Sequence, residues 1–154
     1  MAVTPIPDGY QRVIPYVIAK DAEALLTFLK AAFGAKEKDV NRDPSGTIFH
    51  GEVIIGDCVV MFSQASERHP AMPCTIYVYV PDVDSTYRAA LAAGATSVME
   101  PANQFYGDRN GGVQDSNGNQ WWMGSHVEDV SPEELERRMA EELKKRAAST
   151  PSRG

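Results

Sequence analysis

Apolar positions along this chain recur with two different periods, and the order of the periods repeats once. Arg12 to Ala19 is dense in Val, Ile and Tyr, which predicts a strand. Asp21 then precedes a stretch where Leu25, Phe28, Leu29 and Ala32 fall three and four apart. That spacing predicts a helix over 22–33, capped by Asp21 and ended by Gly34. Three strands follow, Glu37–Arg42, Thr47–Ile55 and Cys58–Ser63, joined by the turn Asp43-Pro44-Ser45-Gly46 and a tight Gly56-Asp57 hairpin. Polar, proline-bearing Gln64–Pro73 reads as a linker. The order then restarts: a strand at Cys74–Val80, a helix over Val83–Ala93, and strands at Ala95–Met99, Gly112–Asp115 and Gln120–His126. Asn117-Gly118 marks the last hairpin.

The two halves also share words. Val17-Ile18-Ala19-Lys20-Asp21 is echoed by Val78-Tyr79-Val80-Pro81-Asp82, and Gly34-Ala35 by Gly94-Ala95. Gly56-Asp57-Cys58-Val59-Val60-Met61-Phe62 aligns with Gly118-Asn119-Gln120-Trp121-Trp122-Met123-Gly124. A period of about 60 residues marks a duplicated module rather than a solenoid. The expected fold is α+β: two tandem βαβββ modules, residues 1–66 and 67–127, whose paired curved mixed sheets form a groove. Residues 128–154 form a C-terminal amphipathic helix and tail, within one compact domain. In that tail Ser131-Pro132-Glu133-Glu134 is a capping box, and Leu135, Met139 and Leu143 share one face. This helix is expected to pack on the domain or on a partner subunit, and Ala147–Gly154 to fray.

Alternation sorts the strand residues by face. Val13, Val17, Phe49, Val53, Ile55, Ile76, Val78 and Val80 are expected against the helices, with one of Trp121 and Trp122 in the core. The opposite face then gathers Tyr16, His50, Glu52, Thr75, Tyr77, Tyr79 and Trp122. An aromatic-walled hollow with few polar groups suits a small flat or hydrophobic ligand. His50 and Glu52, two apart on a strand, are open to three readings: metal ligands, an acid/base pair, or a hydrogen-bonded couple. The loop Pro101–Asn110 holds two large apolar side chains, Phe105 and Tyr106, and Asp108-Arg109. These residues either contact a ligand or have a purely structural role.

Composition narrows the classes. With 43% apolar and 23% charged residues the chain has ordinary globular balance. A net charge of -6, without a basic cluster in the body, disfavours nucleic acid. The apolar runs are too short to span a bilayer, and Met1–Gly9 has no leader pattern, so a cytoplasmic location is expected. Cys58 and Cys74 lack CxxC spacing and are expected to stay reduced, Cys58 as a small core residue.

The repeat resembles the glyoxalase/bleomycin-resistance/dioxygenase (vicinal oxygen chelate) superfamily. So do the Pro15-Tyr16 strand, the Phe28…Ala32-Phe33-Gly34-Ala35 helix end and Ile48-Phe49-His50-Gly51-Glu52…Ile55-Gly56-Asp57. Val80-Pro81-Asp82-Val83-Asp84, Gln104-Phe105-Tyr106-Gly107-Asp108-Arg109 and the stretch from His126 to Leu135 are similar to its PhnB-like branch. Metal-dependent relatives use four ligands, one from each of four strands, to hold a divalent ion that chelates the substrate. The resemblance carries those positions onto Ile14, Glu52, Thr75 and Trp122, where only Glu52 is a good ligand. It therefore implies a metal-free, homodimeric binding protein that sequesters a flat or antibiotic-like molecule, with no cofactor. The expected ligand-binding residues are Tyr16, His50, Glu52, Thr75, Tyr77, Tyr79, Phe105, Tyr106, Arg109 and Trp122. The alternative it implies is a lyase or isomerase working through His50 and Glu52, with or without a divalent metal at Glu52.

Overall fold

A computed structural model of the chain describes residues 4–149. The described elements run β1 (Tyr16–Ala19), α1 (Ala22–Phe33), β2 (Lys36–Arg42), β3 (Ile48–Ile55) and β4 (Cys58–Gln64). The second half follows with β5 (Thr75–Tyr79), α2 (Val83–Ala92), β6 (Thr96–Asn103), β7 (Asp108–Gln114) and β8 (Gln120–His126), and α3 (Pro132–Ser149) ends the series. Each half makes its own four-stranded mixed sheet, in the orders β1-β4-β3-β2 and β5-β8-β7-β6. In both, the first strand pairs parallel with the last, and the rest are antiparallel. The twice-repeated βαβββ order is thus a physical duplication.

The helix ends repeat as well. Asp21 accepts from Ala24 N at 3.0 Å and Asp82 from Ser85 N at 3.0 Å, each meeting one orphan N–H of a first turn. Gly34 and Gly94, at φ 62° and 95°, take the left-handed conformation that releases the chain into the next strand. α1 packs on its sheet, α2 on its own, and the helices on each other, so one apolar core runs through both halves. Trp121 is fully buried, its ring 6.2 Å from Phe28 and 5.4 Å from Phe33 of α1. The β7–β8 turn fastens the halves from outside. Asn117 Oδ1 accepts from Asp21 N at 2.6 Å, and Asn117 Nδ2 donates to Asp21 O.

Several local expectations change. β1 starts at Tyr16, not Arg12, and Val13 is 83% exposed rather than on the helices. Gln11 uses its side chain to continue the pairing instead, bonding both Val59 N and Val59 O. Ile48, not Phe49, enters the core: Asn41 pairs with His50 and Arg42 with Ile48, leaving Phe49 as the extra residue of a bulge. The expected loop at 101–110 is mostly strand, because β6 reaches Asn103 and β7 begins at Asp108, joined by the short turn 104–107. Cys58 is exposed, not core. α3 continues through 147–149, and the rest of the expected frayed end lies outside the described residues. α3 buries none of its residues and leaves Met139 and Leu143 exposed. It is held at its start, where Arg138 bonds Glu128 and the Phe105 carbonyl. Among the described residues no helix is long and apolar enough to cross a membrane.

Candidate functional site: the open faces of the two sheets

Strand pairing fixes what shares a face. In the first sheet Tyr16, Met61, Glu52 and Asp39 form one cross-strand row on the side away from α1. The matching row of the second sheet is Tyr77, Trp122, Gly112 and Met99, and the next is Tyr79, Gly124, Asn110 and Ala102. Val17 and Val78 occupy equivalent places in the two rows behind, so Phe62 matches Met123 and Met61 matches Trp122. The word-for-word echo of the sequence is therefore one residue out of step in the last strand. The cause is the turn: two residues join β3 to β4, whereas Asp115–Asn119 join β7 to β8.

The first face is closed by its own chain. Tyr10 donates to Glu52 Oε2 at 2.6 Å, and Lys38 Nζ stands 3.8 Å from the same oxygen and 3.7 Å over the Tyr10 ring. His50 Nε2 meets Glu52 Oε1 at 3.0 Å, and its Nδ1 faces Tyr16 Oη at 3.3 Å. Of the three readings left open by spacing, the geometry is the hydrogen-bonded couple, extended into a Tyr16–His50–Glu52–Tyr10 chain. Glu52 is only 6% exposed. Burial pushes its carboxyl up, but the bonds from Tyr10 and His50 and the charge of Lys38 outweigh this and hold it below the usual carboxylate value.

The second face is open and paved with rings. Trp122 lies against Gly112, where an added Cβ would come within 2.9 Å of the indole. Tyr77 lies over Gly124, where any Cβ would collide with its hydroxyl. Gly112 thus lets the Trp122 indole lie down on the sheet, and Gly124 leaves room for the hydroxyl end of Tyr77. Tyr77 and Tyr79 are 44% and 67% exposed, with ring centroids 5.3 Å apart. Asn110 Nδ2 donates to the hydroxyl of Tyr106, which stands edge-on to Phe105. Tyr79 donates to Asp108 Oδ2 at 2.8 Å, which raises the Tyr79 hydroxyl pKa. His126 Nδ1 meets Asp108 Oδ1 at 2.9 Å. A cleft of about 440 Å³ is lined by Ile76, Tyr77 and Tyr79 of β5 together with Val13, Pro15 and Cys58.

The expected site residues therefore separate. Tyr16, His50 and Glu52 belong to the closed face. Thr75, Tyr77, Tyr79 and Trp122 belong to the open one, with Tyr106 reaching it from its turn. Arg109 is not with them: it pairs across the sheet with Ser125 and points to α2, where Nε and Nη2 each bond Asp84 at 2.7 Å. Phe105 offers its carbonyl to Arg138, on the side of α3. Sequence reasoning missed Tyr10, Asn110 and the glycines at 112 and 124, and left Asp108 between ligand contact and a structural role. For the glycines a signal existed, since each sits in a strand where a side chain would be expected. The four positions aligned with a divalent-ion site offer one carboxylate, one hydroxyl and two side chains that cannot ligate, and do not fit such an ion. Among the described residues no group of three or more His, Cys, Asp or Glu is arranged to hold one.

Comparison with known proteins agrees with this architecture. An uncharacterized protein of Mycobacterium tuberculosis strain H37Rv is 31% identical over 137 residues, covering 82% of this chain and 81% of the relative. TioX from Micromonospora sp. ML1 is 25% identical, with a TM-score of 0.65 over 76% of this chain and 99% of that one. A glyoxalase/bleomycin resistance protein/dioxygenase from Nocardioides shares the fold at 16% identity, with a TM-score of 0.57 over 84% of this chain and 90% of that one. The family model for glyoxalases matches residues 11–123. The chain belongs to the Glyoxalase/Bleomycin resistance protein/Dioxygenase superfamily.

Proposed function

We propose that this member, of the PhnB-like branch by its motifs, is a metal-free binding protein that sequesters a flat aromatic small molecule on the open face of its second sheet. One observation carries the reading: Gly112 lets Trp122 lie flat, with Tyr77 reaching over Gly124 and the exposed Tyr79 set edge-on beside it. Ring faces laid parallel to a sheet are a stacking platform, and stacked aromatic pairs contribute about 0.5–1.5 kcal/mol beyond burial. Thr75 at the end of β5 and the Tyr106 hydroxyl supply polar edges to orient the guest. A second copy of the chain supplies the opposing wall, since a platform exposed on one side holds a flat ligand weakly.

The reading as a lyase or isomerase needs an available base. Glu52 is buried, its pKa is lowered, and its oxygens already accept from Tyr10 and His50. Both ring nitrogens of His50 are engaged as well. A weak, occupied base beneath a tyrosine is poorly placed to take a substrate proton.

The test is fluorescence. Trp121 is sealed in the core and Trp122 lies on the open face, so a stacking guest should quench part of the emission. Titration with planar polycyclic compounds should give saturable quenching that Trp122→Phe abolishes, unchanged after dialysis against a chelator. Emission that stays flat with every planar compound would refute the proposal.

A further inference from the structure

The paved face ends at a buried corner that the stacking reading leaves unexplained. Asn110 is 5% exposed, and its side chain lies on the same face as Tyr79 and Gly124. Its Nδ2 donates to Tyr106, but its Oδ1 is sealed from solvent with no hydrogen-bond partner. An unmet acceptor in a protein interior is costly and rare, and persists where something else selects it. Two places along β7, Asp108 is also 5% exposed and faces the same way. Its two oxygens accept one bond each, from Tyr79 and from His126, so lone pairs remain. Tyr106 stands over this corner from the turn 104–107, where Gly107 has φ 97° and the ring remains 39% exposed. It is the group an arriving ligand can displace with the least loss of packing.

Resting on the stacking reading, we infer that the guest is a flat cation carrying an N–H donor. Its rings lie on Trp122 and Tyr77, its N–H fills the vacant acceptor of Asn110, and its charge is met by Asp108. The corner offers the Asn110 acceptor and the Asp108 carboxylate, whose Oδ1 is paired with the half-exposed His126 ring and whose Oδ2 carries only the neutral Tyr79 hydroxyl, so a cation is met at Oδ2; Arg109, the nearest basic side chain along β7, is turned away onto Asp84. Planar anions and acceptor-only rings are therefore poor guests. Asn110 is the residue that sets this specificity.

Two planar cations of like size separate the terms: 9-aminoacridine, which carries N–H donors, and 10-methylacridinium, which carries none. A hydrogen bond to a charged donor is worth about 1.5–3 kcal/mol, so the aminoacridine should quench Trp122 at a concentration at least about tenfold lower. Asn110→Leu should remove most of that preference while leaving 10-methylacridinium unaffected. Its thermal midpoint should fall little, because removal of the unpaired buried oxygen offsets loss of the bond to the partly exposed Tyr106 hydroxyl. Asn110→Asp, which keeps an acceptor, should preserve the preference. Equal quenching by both cations in the unaltered protein overturns this inference and leaves the stacking platform standing. Quenching by neither overturns both.

Discussion

Trp122 rests directly on Gly112 of the neighbouring strand, at a distance that no side chain at 112 tolerates. The relationship converts a sheet surface into a ring surface. Gly112→Ala would place a methyl group 2.9 Å from the indole and lift it. We expect a stability loss of about 1–3 kcal/mol from overpacking, together with loss of ligand-induced quenching. Gly124→Ala meets only the hydroxyl end of Tyr77, which can swing away. It should weaken binding with a smaller change in the urea midpoint. Equal, negligible effects of both substitutions on binding would show that the rings need not lie flat.

Tyr10 is the corresponding control on the closed face. Its hydroxyl donates to a carboxylate that is almost fully buried. Tyr10→Phe should cost about 1–2 kcal/mol at neutral pH, read as a shift in chemical unfolding. The sign of the pH dependence follows from Glu52, whose folded pKa is depressed. Its stabilising share is present above the ordinary carboxylate value of about 4.3 and lost as pH falls through the lower folded value. The gap between the two proteins should therefore close in acid. A gap that is constant down to pH 3 would remove Glu52 from the account.

Much of the architecture was legible in the sequence because the same physics is stated twice. Asp21 and Asp82 cap, Gly34 and Gly94 release, and alternation puts Val17, Val53 and Trp121 in the core. What failed was whatever a neighbouring strand decides. The bulge that ejects Phe49 depends on how β2 pairs, and the longer turn at 115–119 shifts Trp122 out of step with its echo. The candidate site was half legible. Period-two alternation placed Tyr77, Tyr79 and Trp122 on one face. Arg109 obeys the same rule and lies on the other face, but its place in a supposed loop hid the alternation. Tyr10 lies before any element, so nothing local indicates that it covers Glu52.

His126 bonds two carboxylates at once, Asp108 through Nδ1 and Asp129 through Nε2, each at 2.9 Å. Only the imidazolium donates from both nitrogens. The hydrogen bonds it donates to Asp129 and then to Asp108 raise its pKa. The stabilisation is complete below the unfolded histidine value of about 6.5 and lost as pH rises through the higher folded value. NMR titration should place the His126 midpoint above the ordinary histidine value. Asp129→Asn should lower the His126 midpoint. A midpoint unmoved by that change would mean the Asp129 contact is not formed in solution.

Asp115 is a buried carboxylate at the turn that joins the halves, 5% exposed. It accepts from Asn117 N, Asn119 N, Asn119 Nδ2 and the Trp121 indole at 2.9–3.0 Å. Asp115→Asn would turn an NH₂ group toward one of those donors. Because the same turn fastens α1 through Asn117, we expect a loss of about 3 kcal/mol or more and reduced cooperativity of unfolding. A loss below 1 kcal/mol would mean that the turn relaxes without the carboxylate.

Arg109 gives the cleanest separation of face from sequence neighbourhood. It stands between Asp108 and Asn110, both on the paved face, yet its guanidinium is bidentate to Asp84 in the first turn of α2 and also bonds Asn103. That pair is partly exposed, at 32% and 42% of the side chains, so solvent screens it and its share of stability is small. Arg109→Ala should shift the urea midpoint only slightly and return the Asp84 carboxyl toward its ordinary value, since Arg109 is the main cause of its lowering. Quenching by a planar cation should change less than about twofold, well under the 1.4 kcal/mol that a tenfold change represents. A large drop in binding with stability intact would show that the guanidinium leaves Asp84 to meet the ligand, and that the site extends around the edge of β7.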